Sequence, residues 1–384
     1  MTTPTQAPPA GSQAPVLAPF RAGTQPTYKP SGWQQTNNLG TTSVPLPDYQ
    51  VGPTNLLRAI DIEVTASTVT NAATVAFNGD MPLGIFSTVN FQDSGGNSIV
   101  GSFDSYTIAM IMKYGGYAQA QMGDPRNSVV YSTTVGAVAT GGGFNVVFRI
   151  PIEFIARNGA GTLVNQTTQS PLTLSLTLTT SALVYSTAPT NAVSVLVTVD
   201  LLGYWKGSNA AANPAPKAAG TTQYWNRAAV QALNGAMDFY APQIGIGNPI
   251  RTFLWLNYTT GGARSNTNFP SPFTLNYKGN LLFNRTKNQW QNEISRQYGL
   301  TGFATTSGVL AQVLDTGPGL DTGVYPFPFA TDFDKDTGAE LMLSYLDTEV
   351  GDAIEVLGTW AASCTLYWVV NYLGVNGVLQ PGLV

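Results

Sequence analysis

The sequence predicts an all-β chain built as two tandem versions of one strand-rich unit. Three observations predict it. First, the stretch over residues 88–116 recurs over 274–300. Each copy opens with Thr, an aliphatic residue, Asn and an aromatic (Thr88, Val89, Asn90, Phe91; Thr274, Leu275, Asn276, Tyr277). Each continues with a turn, a second strand-like run, a helix-like run and a Tyr-Gly stop. Second, the apolar run at 196–203 (LVTVDLLG) has a counterpart at 367–374 (YWVVNYLG), at a similar distance downstream. Third, only 10% of the 384 residues are charged, against ~25% in ordinary domains. Gly, Thr, Asn, Ser and Val take their place, a composition that suits short strands joined by tight turns.

The elements follow in order. Residues 1–50 carry nine prolines and read as an extended N-terminal arm with apolar anchors at Phe20, Tyr28 and Trp33. The first unit spans 51–206. Ile60, Ile62 and Val64 alternate with polar residues as in a half-buried strand, and Asn78, Gly79 and Asp80 mark a turn. In the first repeated stretch, Phe86, Val89 and Phe91 are irregularly spaced, so the buried face is not readable. Asp104 caps an amphipathic helix that Gly115 ends at the C′ position. Residues 117–143 read as loop with short strands, closed by Gly141, Gly142 and Gly143. No Lys-Ser/Thr follows these glycines, so a turn is favoured over a phosphate cradle. Strands follow at 144–152, 172–178 and 193–199.

A linker is expected over 207–223, and the second unit over 224–384. Its first strand is 251–256, equivalent to 56–64. Thr286 is the cap of its helix, with Trp290, Ile294 and Tyr298 on one face and Gly299 as its stop. Residues 301–338 read as long loops at a contact surface. The final strands are expected at 353–357 and 364–373.

The chemistry is sparse. The chain has no His, which removes the commonest general base and metal ligand. Its one cysteine, Cys364, precedes an apolar run and reads as a buried thiol. Asp332, Asp334 and Asp336 alternate in a calcium-like pattern. Glycine sits one place late for the EF-hand template and Leu343 stands where it wants Glu, so a solvated turn is favoured. The acidic residues Glu63, Glu153, Glu293, Glu340, Glu349 and Glu355 are dispersed, and no catalytic pair emerges. Trp205, Trp225 and Trp360 could serve as sugar platforms but fit core or interface anchors better. No catalytic or cofactor-binding residue is assigned, and no cofactor is expected. A net charge of −4 with scattered basic residues argues against direct nucleic-acid binding. The N-terminus lacks signal-peptide features, and the sequons at Asn165 and Asn257 are taken as chance matches.

Two tandem units with a helix in the same place, a Pro-rich arm and few charges together resemble the double jelly-roll major capsid proteins of tailless, internal-membrane bacteriophages such as the tectiviruses. The resemblance covers about residues 50–380. It rests on the TVNF/TLNY stretches and the LVTVDLLG/YWVVNYLG strands. It implies two eight-stranded jelly rolls, each with a short helix, plus the extended N-terminal arm. It implies a non-enzymatic shell protein: pseudo-hexagonal homotrimers that tile an icosahedral virion. The implied partners are other copies in the trimer, neighbouring capsomers, and penton and minor capsid proteins. Contact with an internal membrane stays open, because 1–50 is too rich in Pro for the membrane-lying helix of some members. Synthesis would be in the host cytoplasm and residence in the virion shell. Two alternatives remain: a viral spike or receptor-binding protein built of jelly rolls, and a two-domain β-sandwich enzyme or carbohydrate-binding protein.

Overall fold

The structure is a computed structural model. It describes residues 24–71, 74–117, 131–133, 141–155, 159–165, 171–206, 221–298, 321–330 and 344–375. In the first unit the strands are β1 (Thr24–Asn38), β2 (Val44–Pro45), β3 (Tyr49–Val51), β4 (Asn55–Ala66), β5 (Ala76–Phe77), β6 (Phe86–Gln92) and β7 (Ser98–Phe103). Helix α1 (Ser105–Tyr114) follows, then β8 (Tyr131–Thr133), β9 (Phe144–Pro151), β10 (Leu163–Asn165) and β11 (Leu172–Leu178). A single helical turn, α2 (Ser181–Val184), leads to β12 (Tyr185–Thr187) and β13 (Ser194–Lys206). The second unit has β14 (Thr221–Tyr240), β15 (Ile250–Thr259), β16 (Phe273–Tyr277), β17 (Asn280–Arg285), α3 (Lys287–Tyr298), β18 (Val324–Pro328) and β19 (Ile354–Val375).

One pairing order is used twice. In the first unit β1, β13, β4 and β9 pair in that order, and so do β11, β6 and β7, with β2 and β3 both paired to the free side of β11. Between these two sheets lie Ile62, Val64, Phe148 and Val197 from one and Phe86, Val89, Phe91 and Leu174 from the other, all buried. Phe86 meets Phe148 edge-on at 6.1 Å. In the second unit the strands of the two sheets run into each other. The first half of β14 pairs with the second half of β19, which pairs with β15, which pairs with β18. The second half of β14 pairs with the first half of β19, which pairs with β16 and then β17. Register shifts between Val230 and Gly235 mark where β14 passes from one sheet to the other. The two final runs read from the sequence are thus the two halves of one strand. In both units a helix follows the last strand of the second sheet.

The repeated closing glycines have a packing reason. A Cβ on Gly203 would lie 2.8 Å from the Leu56 carbonyl oxygen, and one on Gly374 2.4 Å from the Tyr224 ring. Both strands therefore need a residue without a side chain where a neighbour approaches closely.

Several expectations are corrected. Residues 24–50, read as arm, carry the first strands of the first unit: β1 pairs with β13, and β2 and β3 with β11. β1 tolerates Pro26 and Pro30 because it is a sheet edge, where a missing N–H breaks no central ladder. Within 301–338, Val324–Pro328 is a strand, and Tyr325 and Phe327 are buried core. Its Pro326 and Pro328 are again on an edge strand, paired with β15 alone. Ser87 is the extra residue of a β-bulge, since Thr177 faces Thr88 but Leu178 faces Phe86. That bulge lets Phe86 and Val89 share one face three residues apart. Helix α1 is buried nearly all round rather than amphipathic. Asp104 does cap it, accepting from the Thr107 N–H at 2.9 Å, but Gly115 has φ −81° and the left-handed residue is Gly116, at φ 85°.

The second core is aromatic. Trp255 lies 4.2 Å and Trp290 4.5 Å from Phe327, ring centre to ring centre. The indole N–H groups of Trp225, Trp255, Trp290 and Trp360 have no hydrogen-bond partner among the described residues. Each such loss costs ~1–3 kcal/mol. Burying ~200 Å² of indole gains ~5 kcal/mol, so burial wins. Thr286 and Gln289 form a capping box at α3. The Gln289 N–H donates to Thr286 Oγ1, and the Thr286 N–H donates to Gln289 Oε1 at 3.0 Å. Among the described residues, no helix is long and apolar enough to cross a membrane.

Candidate functional site, the seam between the two units

The two units meet where Val100 of β7 faces Trp225 of β14, a parallel pairing that joins the second sheet of unit one to unit two. Around that point several charged and polar side chains of the two units meet. Arg251 opens an apolar strand and is 1% exposed. It crosses the seam to donate to the Gly115 carbonyl at 2.6 Å, at the end of α1, where helix carbonyls lack partners and the dipole favours a cation. Gln223, fully buried, donates to the Ile152 carbonyl at 2.9 Å and accepts from Tyr117 and Asn371.

Three ion pairs cross the same seam. Arg227 bonds Asp104 and lies over Tyr367, 4.6 Å from the ring centre. Asp104 thus caps α1 and holds unit two at once. Lys113 and the Tyr114 hydroxyl both donate to Asp321, at 2.7 and 2.8 Å. Arg264, its side chain 4% exposed, makes a forked pair with Asp80, donates to the Thr322 carbonyl and covers the Tyr106 ring at 4.4 Å. Burial works against its charge, but Tyr106 and the hydrogen-bonded Asp80 outweigh that and raise its pKa. Forked Arg–carboxylate pairs also fix direction, so the seam sets an angle as well as a contact.

A cleft of about 450 Å³ opens along this seam, lined by Asp80, Asp104 and Tyr106 from unit one and Arg227, Tyr258 and Tyr367 from unit two. Burial pushes the Tyr106 and Tyr258 hydroxyls well above their ordinary pKa, with Arg264 opposing at both. Its carboxylates Asp80 and Asp104 are held by Arg264 and Arg227, so the charged groups of its lining join the two units.

The residues singled out in the sequence fall elsewhere. Asp332, Asp334, Asp336 and Glu340 lie outside the described residues. Among the described residues no group of three or more His, Cys, Asp or Glu could hold a metal ion. Glu153 meets Tyr204 at 2.7 Å, Glu355 meets Asn276 at 2.9 Å, and Glu63 meets Asn145 at 3.0 Å. Glu349 pairs with Lys278 and Glu293 with Arg285. Each sits apart from the others and holds a structural neighbour. Trp225 and Trp360 are buried at 1% and Trp205 is half-exposed. The side chains of Asn165 and Asn257 are buried, closing both sequons to modification. Sequence reasoning missed Asp80, Gln223, Arg227, Arg251, Arg264 and Asp321. The available signal was a lone polar residue in or beside an apolar run, as at Arg251.

No family model matches the chain, and no curated protein matches it in sequence. Solved structures do. The major capsid protein of STIV (Sulfolobus turreted icosahedral virus) is similar at a TM-score of 0.55 with 16% identity, over 92% of this chain and 100% of that one. The major capsid protein P2 of bacteriophage PM2 is similar at 0.53 with 10% identity, over 92% and 100%. A chain of the PBCV-1 virus capsid is similar at 0.53 with 11% identity, over 95% of each. At these identities the likeness is one of fold, and with the doubled pairing order it settles the architecture: the chain is a double jelly roll, of the kind these viral capsid proteins have.

Proposed function

We propose that the chain is a major capsid protein that forms pseudo-hexagonal homotrimers tiling an icosahedral virion shell. One observation carries the reading. Two jelly rolls of the same pairing order are locked side by side by Arg227–Asp104, Arg264–Asp80 and Lys113–Asp321. Such a chain presents two near-equivalent lobes at a fixed angle, so three chains give six lobes for near-sixfold packing. The solved structures it resembles along nearly its whole length are capsid proteins, and its sparse charge suits a surface covered by neighbours.

The reading extends to partners. Neighbouring capsomers meet each trimer, and penton and minor capsid proteins meet the shell's vertices and seams. The chain is made in the host cytoplasm and resides in the virion. The residues before Thr24 tie adjacent capsomers or reach an internal membrane. Electron microscopy of the purified protein tests the core of this reading. Trimers or shells with hexagonal outlines support it; a dispersed monomer contradicts it.

A further inference from the structure

The seam makes a space as well as a contact. Its cleft of about 450 Å³ falls within the ~300–1,000 Å³ of small-molecule sites, which favour the junction between two folded units. Three properties of its wall select a class of ligand.

First, its charges are already matched. Asp80 is paired with Arg264, and Asp104 with Arg227. An ionic ligand would have to displace one partner of a pair and strand the other. A neutral ligand need not, because a paired carboxylate keeps spare lone pairs and a paired guanidinium spare N–H groups. Second, hydroxyls line the wall: Tyr106 from unit one, and Tyr258 and Thr365 from unit two. The Tyr106 hydroxyl is buried and has no hydrogen-bond partner among the described residues. Leaving it so costs free energy that a ligand hydroxyl would restore. Third, the cleft has an aromatic side. Tyr258 and Tyr367 meet edge-on at 5.5 Å. Arg227 covers one face of Tyr367, and the Tyr258 ring beside it offers a place for C–H groups.

A ligand that is neutral, rich in hydroxyls and apolar on one face is a sugar ring. We infer that the cleft binds a short neutral carbohydrate, with Asp80, Asp104 and Arg227 bonding its hydroxyls and Tyr258 taking its C–H face. One chain supplies the whole wall, so binding needs no trimer and stands apart from the capsid reading. Both units contribute to that wall, so the sugar binds only the docked pair and stabilises it as its concentration rises.

Saturation-transfer NMR on the purified full chain tests this. The probes are glucose, galactose, mannose and N-acetylglucosamine, each alone and in its β-linked disaccharides, with glucuronate and glucosamine as charged counterparts. At least one neutral sugar is expected to receive magnetisation, mainly at the C–H protons of one ring face, and to raise the unfolding temperature. Tyr106→Phe, Tyr258→Phe and Thr365→Val each remove a hydroxyl at nearly constant shape, and each is expected to weaken that sugar about 2–10-fold. Thermal unfolding confirms that the variants fold. Tyr240→Ser and Trp205→Ser remove exposed rings outside the cleft and are expected to leave binding unchanged. No transfer to any neutral sugar overturns the inference. So does transfer that survives all three hydroxyl deletions, or that falls only in Tyr240→Ser or Trp205→Ser, since the sugar then sits elsewhere. Tighter binding of glucuronate or glucosamine than of the neutral sugars overturns the ligand class.

Discussion

Arg264 of the second unit reaches across the seam and grips Asp80 of the first with a forked pair, its own side chain only 4% exposed. Removing one partner of a buried pair leaves the other charge stranded, which costs ~3–5 kcal/mol. Asp80 is itself a third exposed, so water recovers part of this. We expect Asp80→Ala to destabilise the chain by about 3 kcal/mol, measured by guanidinium unfolding. The Asp80→Asn variant keeps an acceptor and should lose less. Equal stability of Asp80→Ala and the parent protein would contradict the role given to this pair.

The closing glycines predict a contrast. At Gly203 an added Cβ meets the fixed backbone of Leu56 and Thr54, while at Gly374 it meets the Tyr224 side chain. Backbone cannot step aside and a ring can. Overpacking costs ~1–3 kcal/mol, so Gly203→Ala should fall at the upper end. The paired variant Gly374→Ala with Tyr224→Leu should regain most of what Gly374→Ala loses. Thermal unfolding of the three variants measures this.

Alkaline stability follows from the tyrosines. A hydrogen bond to Asp200 holds the Tyr28 phenol up at about 12, against an ordinary value of 10.0. Burial raises Tyr106, Tyr185 and Tyr258 in the same direction. A group whose pKa is higher folded than unfolded contributes stability that is complete below the unfolded value. That contribution is lost as pH rises through the folded value. Stability should therefore hold up to about pH 10 and fall between 10 and 12. Ultraviolet titration should show a class of phenols that ionise only as the chain unfolds. Tyr28→Phe should decline less steeply over that window. A titration in which every tyrosine ionises near pH 10 with the fold intact would contradict this.

The doubling was legible because it is written in local pattern. The Thr-x-Asn-aromatic starts, the caps Asp104 and Thr286 and the glycines 203 and 374 each occupy the same place in both units, even where, as at the glycines, the neighbour differs. β1 was illegible because proline argues against strands, and only the position of a strand in its sheet shows that an edge tolerates it. The strand at Val324–Pro328 was hidden for the same reason. The seam was illegible because most of its residues belong to no motif: Asp80 sits in a turn signal with Asn78 and Gly79, and nothing in the sequence singles out Arg264. Their pairing spans the two units, and no spacing along one unit encodes it.

In the proposed capsid role, one chain supplies two lobes of a six-lobed ring. Native mass measurement of the purified, unmodified protein tests it most directly. The expected result is a particle of three times the 40.6 kDa chain mass, or shells built from it. A stable particle at the single-chain mass, under conditions where the fold is intact, would contradict it.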